Sequence, residues 1–223
     1  MKECDYSYKS VDGLERFFKR RYQLSPVVNG RTKTFRLYTR IDALHIKRGI
    51  PKEWEHLLYN LPAVVEEARA GGVVWWAEGE KDAERICAEG EVATSHWNPR
   101  AVVEEQARWL VGAGEVVLLY DNDADDEKGG NVGAADLIVR YKACRAAGIP
   151  RADIAVGHAA RGKDVSDHLD AGLDLDDMVW LDSLAPLRVK AKKTLNGGGR
   201  KEGYADPETY GFTGSLVVIK GGA

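Results

Sequence analysis

Glu115-Val116-Val117-Leu118-Leu119-Tyr120-Asp121-Asn122-Asp123 is apolar without a break and then abruptly acidic. Four successive aliphatic residues, Val116 to Leu119, leave no polar face, as in a parallel strand covered on both sides. The same rhythm repeats around it. Upstream, Val73-Val74-Trp75-Trp76 reads as a buried strand, followed by a helix from about Lys81 to Glu89 that ends at Gly90. Val92 to Ser95 is a short strand, and a helix starting near Pro99 carries Val103, Ala107 and Leu110 on one stripe. Downstream, Val132, Ala135, Val139, Ala143 and Ala146 mark a long helix that stops at Gly148-Ile149-Pro150. Ile154 to Val156 gives another strand, and Val165 to Leu169 a short helix. Strands alternating with helices predict an α/β fold built on a parallel sheet flanked by helices.

Before this region lies a small β-rich unit. Tyr6 to Ser10 and Leu14 to Tyr22 flank Asp12-Gly13, a hairpin signal. Lys33 to Arg40 alternates so that Phe35 and Leu37 point inward while Arg36 and Tyr38 point out. Pro62 and Gly71-Gly72 bracket a short helix through Val64, Val65 and Ala68. Beyond about Leu187 periodicity fades. The expected division is a basic β-rich unit over 1–60, an α/β domain over 61–187, and a basic, glycine-rich linker or tail over 188–223. Leu216 to Ile219 reads as a lone strand.

The 223 residues are 44% hydrophobic and 30% charged, a globular balance. No apolar run approaches the ~20 residues of a membrane span. Cys4, Cys87 and Cys144 are too few and too scattered for a disulfide framework or a CxxC zinc site, so a reduced, cytoplasmic setting is expected. The net charge of −3 conceals segregation. Ten Lys/Arg residues between Lys19 and Lys52 face one acid, Asp42, whereas five of the seven residues from Asp121 to Glu127 are acidic. Blocks of one sign mark surfaces that meet charged partners, here a polyanion held near a divalent metal. Phe17, Phe18, Tyr22, Phe35 and Tyr38 interleave with the basic residues. Aromatics beside cations suit single-stranded nucleic acid, with Arg20, Arg21, Lys33, Arg36 and Arg40 as the expected contacts.

Three acidic motifs sit where strands should end: Glu78 after Val73–Ala77, Asp121 and Asp123 after Val116–Tyr120, and Asp164 and Asp167 past Ile154. In an open parallel sheet all carboxyl ends lie on one edge, where ligands bind. Clustered carboxylates repel unless a cation is present or some are protonated. Oxygen ligands of this kind suit Mg²⁺. The five histidines have no ligand spacing, and Trp75 and Trp76 read as core.

In order, Glu78-Gly79-x-x-Asp82-Ala83, Asp121-Asn122-Asp123 and Lys163-Asp164-x-x-Asp167 resemble the Toprim domain of bacterial-type primases, topoisomerases and some nucleases. The stretch Leu58-Tyr59-Asn60-Leu61-Pro62 leading into Glu-Gly-Glu-Lys-Asp-Ala resembles the primase portions of phage and plasmid primase-helicases more closely. The resemblance implies a Toprim-like sheet and short RNA primers made from nucleoside triphosphates on a single-stranded DNA template, with Mg²⁺ or Mn²⁺. It implies Asp121 and Asp123 as metal ligands, and Glu78 as a proton-handling or metal-binding glutamate. Asp82 and Asp164 match further acidic positions. Lys81 and Lys163 are placed to stabilise charge on phosphate. A replicative helicase, in cis or in trans, is the implied partner.

Two departures stand out. Asp125-Asp126-Glu127-Lys128 lengthens the loop before Gly129-Gly130, which is expected to shift a second metal position. The zinc-binding module that often helps bacterial-type primases choose start sites is not expected here, given three scattered cysteines. Separately, Lys220-Gly221-Gly222 follows the last strand without a GK[ST], so no ATP-driven helicase is expected within this chain. A Toprim nuclease and a non-catalytic DNA-binding module are the alternatives to a primase.

Overall fold

The computed structural model describes residues 2–28, 31–98, 103–196 and 216–218. Its first sheet is an antiparallel meander of β1 (Lys2–Lys9), β2 (Glu15–Val28), β3 (Arg31–Arg40) and β4 (His45–Arg48). The first hairpin closes where Asp12-Gly13 predicts: Gly13 takes φ +80°, and Asp12 Oδ1 accepts the Leu14 N–H at 3.1 Å. The strands run longer than their apolar patterns, and β4, short and basic, carries no clear signal in the sequence.

Pairing of β2 with β3 sorts their side chains by parity. Phe17 and Leu37 enter the main core together with Tyr6 and Tyr8, and Phe35 packs against it. On the opposite face Phe18, Tyr38 and Ile46 form a small core of their own. Tyr38 is therefore only 5% exposed rather than outward-pointing. Arginine stems roof this second core: Arg20 and Arg40 lie 5.0 Å and 5.3 Å from the Phe18 ring centroid.

The chain then enters α1 (Leu61–Ala70), bracketed by Pro62 and Gly71 as expected. The parallel sheet follows through β5 (Val73–Trp76), α2 (Glu80–Ala88), β6 (Val92–Thr94), α3 (Val103–Ala107), β7 (Glu115–Tyr120), α4 (Val132–Ala146), β8 (Ile154–His158) and α5 (Val165–Asp170). Pro99, the expected start of the third helix, lies outside the described residues. Strand order is β6-β5-β7-β8, extended by a two-residue antiparallel edge, β9 (Val179–Trp180). Val116 and Leu118 of β7 face one core and Val117 and Leu119 another. The unbroken apolar run is explained: this strand is covered on both sides.

The larger core crosses the boundary expected at residue 60, joining Tyr8 and Phe17 to Leu58, Trp76 and Leu118. The meander and the parallel sheet are thus packed as one body. Residues 185–196 form α6 (Ala185–Asn196), not a linker; Leu187 and Ala191 are buried in the main core. The glycine-rich stretch after it, with Arg200 and Lys201, lies outside the described residues. β10 (Leu216–Val218) pairs antiparallel with β4, so the strand that looked partnerless has a partner. Among the described residues no helix is long and apolar enough to cross a membrane.

Candidate active site in the cleft between the two sheets

In the order β6-β5-β7-β8 the chain steps from β5 to β6 on one side and then crosses back to β7 on the other, so β5 and β7 flank the switch point of the sheet. Ligands of open α/β sheets bind in the crevice outside the carboxyl ends at such a point. Glu78 follows β5 and Asp121 follows β7. They meet there, with the Asp121 N–H donating to Glu78 Oε2 at 3.4 Å. Gly133 explains how α4 starts so close beneath them: a Cβ there would lie 2.5 Å from the Asp121 carbonyl oxygen.

Burial, with Asp121 and Asp136 adding repulsion, raises the pKa of Glu78 to about 8. Burial and the nearby Asp82 raise that of Asp121 to about 7, against the pull of Lys163. Asp123 is half-buried beside them. The Lys163 ammonium lies 2.9 Å from Asp123 Oδ1 and 3.7 Å from Asp121 Oδ2. These contacts, the hydrogen bond to Asp123 above all, raise the lysine's own pKa. Among the described residues no three acidic, imidazole or thiol groups already close as a metal cage. Lys163 brings one positive charge to carboxylates that burial and mutual repulsion make hold their protons tightly. The all-oxygen donor set fits Mg²⁺ or Mn²⁺.

The third motif is partly structural. Asp82, 7% exposed, accepts from the Ser166 N–H at 3.0 Å and the Ser166 hydroxyl at 2.7 Å, fastening α2 to α5. Asp164 caps α5 by accepting the Asp167 N–H at 2.9 Å, yet still lines the cleft. Asp167 accepts the Lys163 N–H at 2.8 Å and shapes the turn. Asp125 and Asp126, the residues of the lengthened loop, do not join Asp121 and Asp123. Asp125 pairs with Lys190 at 2.9 Å, and Asp126 Oδ1 accepts the Lys128 and Gly130 N–H groups at 2.9 Å and 2.8 Å.

The opposite wall comes from the meander. The cleft, about 320 Å³, is floored by Glu78, Asp82, Asp121 and Asp164 and walled by Lys19, Arg21, Lys33 and Phe35, with Lys81 and Lys163 beside them. Five positions were expected at a nucleic-acid surface. Arg21 and Lys33 line this cleft, and Arg20, Arg36 and Arg40 project from the other face of the sheet. Arg20 is bound bidentately to Asp5 at 2.6 Å and 2.8 Å, Arg40 pairs with Glu15 at 2.9 Å, and Arg36 lies over Tyr22.

Sequence reading missed the supports. Arg140, wholly buried on α4, donates to the carbonyls of Trp76 and Leu119 at 2.6 Å and 2.8 Å, and to Asp136 at 2.7 Å. It therefore grips the ends of β5 and β7, next to Glu78 and Asp121. Burial opposes charge on Asp136, but Arg140 and His96 hold its pKa at about 2. The available signal was an acid and a base four apart in a helix whose other charges, Lys142 and Arg145, come only towards its C-terminal end. Glu80, 3% exposed, accepts from the Tyr8 hydroxyl at 2.6 Å and lies 2.8 Å from Lys19, locking the meander to α2.

No protein-family model matches the chain, and no curated protein matches it in sequence. Solved structures do match in fold. The E. coli primase catalytic core aligns with 86% of this chain and 56% of its own, at TM-score 0.53 and 11% identity. A DnaG catalytic core aligns over the same shares at 0.54 and 11% identity. A DNA primase domain from Pseudomonas aeruginosa aligns with 85% of this chain and 50% of its own, at 0.51 and 14%. The chain spans about half the length of these proteins. Its mixed α/β architecture, a mainly parallel five-stranded sheet behind an antiparallel β unit, is the fold of the bacterial primase catalytic core.

Proposed function

We propose that this protein is a primase-type nucleotidyltransferase, joining ribonucleotides on a single-stranded DNA template. One observation carries the reading: repelling carboxylates at the switch point of the sheet face a cationic wall across a single cleft. That pairing suits a polyanion brought up to a divalent cation.

In this reading Asp121 and Asp123 hold the metal, with Glu78 and Asp164 bordering it. Bound there, Mg²⁺ or Mn²⁺ would supply Lewis-acid stabilisation of charge on the α-phosphate and of the attacking and leaving oxygens. The chain's own residues do the rest. Arg21 and Lys33 neutralise template phosphates along the meander wall, while Phe35 offers a ring on which a base can stack. Lys163 and Lys81, both lining the cleft, are placed to neutralise the triphosphate. Glu78, at the end of β5 beside Asp121, is placed to take the proton of the attacking 3′-hydroxyl as the bond to the α-phosphorus forms and pyrophosphate leaves. Asp82 keeps α2 and α5 in register and acts through position. A replicative helicase, in cis or in trans, would bring the template.

Incorporation of labelled ribonucleotides on single-stranded DNA with Mg²⁺ or Mn²⁺ is the test. Short, metal-dependent products are expected. Nicking of supercoiled plasmid without incorporation would replace this reading with a Toprim nuclease. Metal-independent DNA binding with neither activity would replace it with a binding module.

A further inference from the structure

The acidic loop from Asp121 to Gly130 contains no helix or strand, yet it must present Asp123 at a fixed place. Its shape is set from behind. Asn131, 5% exposed, caps α4 by accepting the Ala134 N–H at 2.8 Å. Its amide nitrogen donates to the Asp123 carbonyl at 2.6 Å and to Asp125 Oδ1 at 3.0 Å. Asp125 and Asn131 are themselves held by α6. Lys190 lies 2.9 Å from Asp125 Oδ2, and the Thr194 hydroxyl donates to the Asn131 carbonyl at 3.1 Å.

The helix and loop also fit at backbone distance. A Cβ at Gly130 would lie 2.6 Å from Thr194 Oγ1, and one at Gly129 would lie 3.0 Å from Lys193 Nζ. Gly129, at φ +72°, also needs the left-handed conformation that glycine favours. Asp125, Gly129, Gly130 and Asn131 therefore form the face of the loop against which α6 docks.

We infer that α6 is the positioning element of the acidic loop, with Lys190 and Thr194 fixing Asp125 and Asn131, and Asn131 fixing the main chain of Asp123. Buried Leu187 and Ala191 anchor the helix independently of these polar contacts, so the contacts can be removed without undocking it. The inference rests on the proposed function in one respect, that Asp123 holds a cation.

The test uses the full chain carrying Lys190→Ala with Thr194→Val. Hydrogen exchange of the metal-free protein reads the loop directly, through the Lys128 and Gly130 amides bonded to Asp126. Loss of one hydrogen bond and one exposed ion pair should speed their exchange by about three- to tenfold. Mn²⁺ affinity, followed by electron paramagnetic resonance, should weaken by a similar factor, with the α4 amides unchanged. Thr194→Ser and Lys190→Arg, which keep a donor in place, should behave like the parent. Loop exchange matching the parent in the folded double variant would overturn the inference, as would Thr194→Ser failing in the same way as Thr194→Val. Should the parent itself bind no Mn²⁺, the metal reading falls, while the exchange measurement still decides whether α6 sets the loop.

Discussion

The two faces of the N-terminal meander draw on the same two strands and meet different fates. On one face Lys19, Arg21 and Lys33 look into a cleft floored by carboxylates. On the other, Arg20, Arg36 and Arg40 lie over Phe18, Tyr22 and Tyr38, and two of the three are tied to Asp5 and Glu15. A dense basic block is thus sorted by a period of two into a wall that faces the candidate site and a roof over a small aromatic core. The density of Lys and Arg in a sequence does not say which side chains face the cleft; parity along the strand does.

The sharpest separation of the faces is catalytic. Asp121→Asn removes an anionic ligand at nearly constant volume and should lower nucleotide incorporation by at least about a hundredfold. The triple change Arg20→Ala, Arg36→Ala, Arg40→Ala should leave incorporation within about twofold, since these side chains lie on the face of the sheet opposite the cleft. Equal losses in both, measured by product yield at saturating Mg²⁺, would erase the distinction.

The next largest effect concerns what holds the cleft floor. Arg140→Met strands the Asp136 carboxylate in the core and releases two strand-end carbonyls. It should cost about 3–5 kcal/mol in denaturant unfolding, far more than any change on the roof. A loss below about 1 kcal/mol would mean that the buried pair is replaceable and that β5 and β7 hold their ends unaided.

Acidity gives a third contrast. The pKa of Glu78 rises from 4.5 to about 8 in the fold and that of Asp121 from 3.8 to about 7. Across those windows the native state binds more protons than the unfolded chain. Their contribution to the stability of the metal-free protein therefore falls as pH climbs from about 4 to 8. Glu78→Gln and Asp121→Asn should flatten that decline and leave the metal-free protein more stable than the parent at pH 8. Thermal unfolding across this range checks the sign; an unchanged slope in both variants would deny the repulsion.

Smaller still is the effect on DNA. Arg21→Ala with Lys33→Ala should reduce the dependence of log K on log[salt] by about 1.4, at roughly 0.7 per phosphate contact on a single strand. The roof triple should leave the slope alone and cost only about 1–2 kcal/mol of stability, through lost cover over Phe18 and Tyr38.

Much of the parallel sheet was legible because Val116 to Leu119 and Val73 to Trp76 are too apolar to be anything but covered strands. The meeting of Glu78 with Asp121 followed from topology alone. Other features left no such mark. β9 is two residues long, and β4 is held by register with β3 rather than by pattern. α6 was hidden because the basic, glycine-rich composition after Leu187 outweighed the spacing of Leu187 and Ala191. Tyr38 was misplaced because alternation assigns one face to the core, and this sheet buries residues on both. The destination of Asp125, a lysine 65 positions away, is a tertiary fact that local spacing does not encode.

Primer synthesis on single-stranded DNA, run in parallel on the parent, Asp121→Asn, the Arg21→Ala/Lys33→Ala pair and the roof triple, tests the cleft most directly. Metal-dependent ribonucleotide products are expected from the parent and the triple, fewer products with steeper inhibition by salt from the cleft-wall pair, and none from Asp121→Asn. Parent-level synthesis by Asp121→Asn, or loss of synthesis in a folded roof triple, would place the chemistry somewhere other than this cleft.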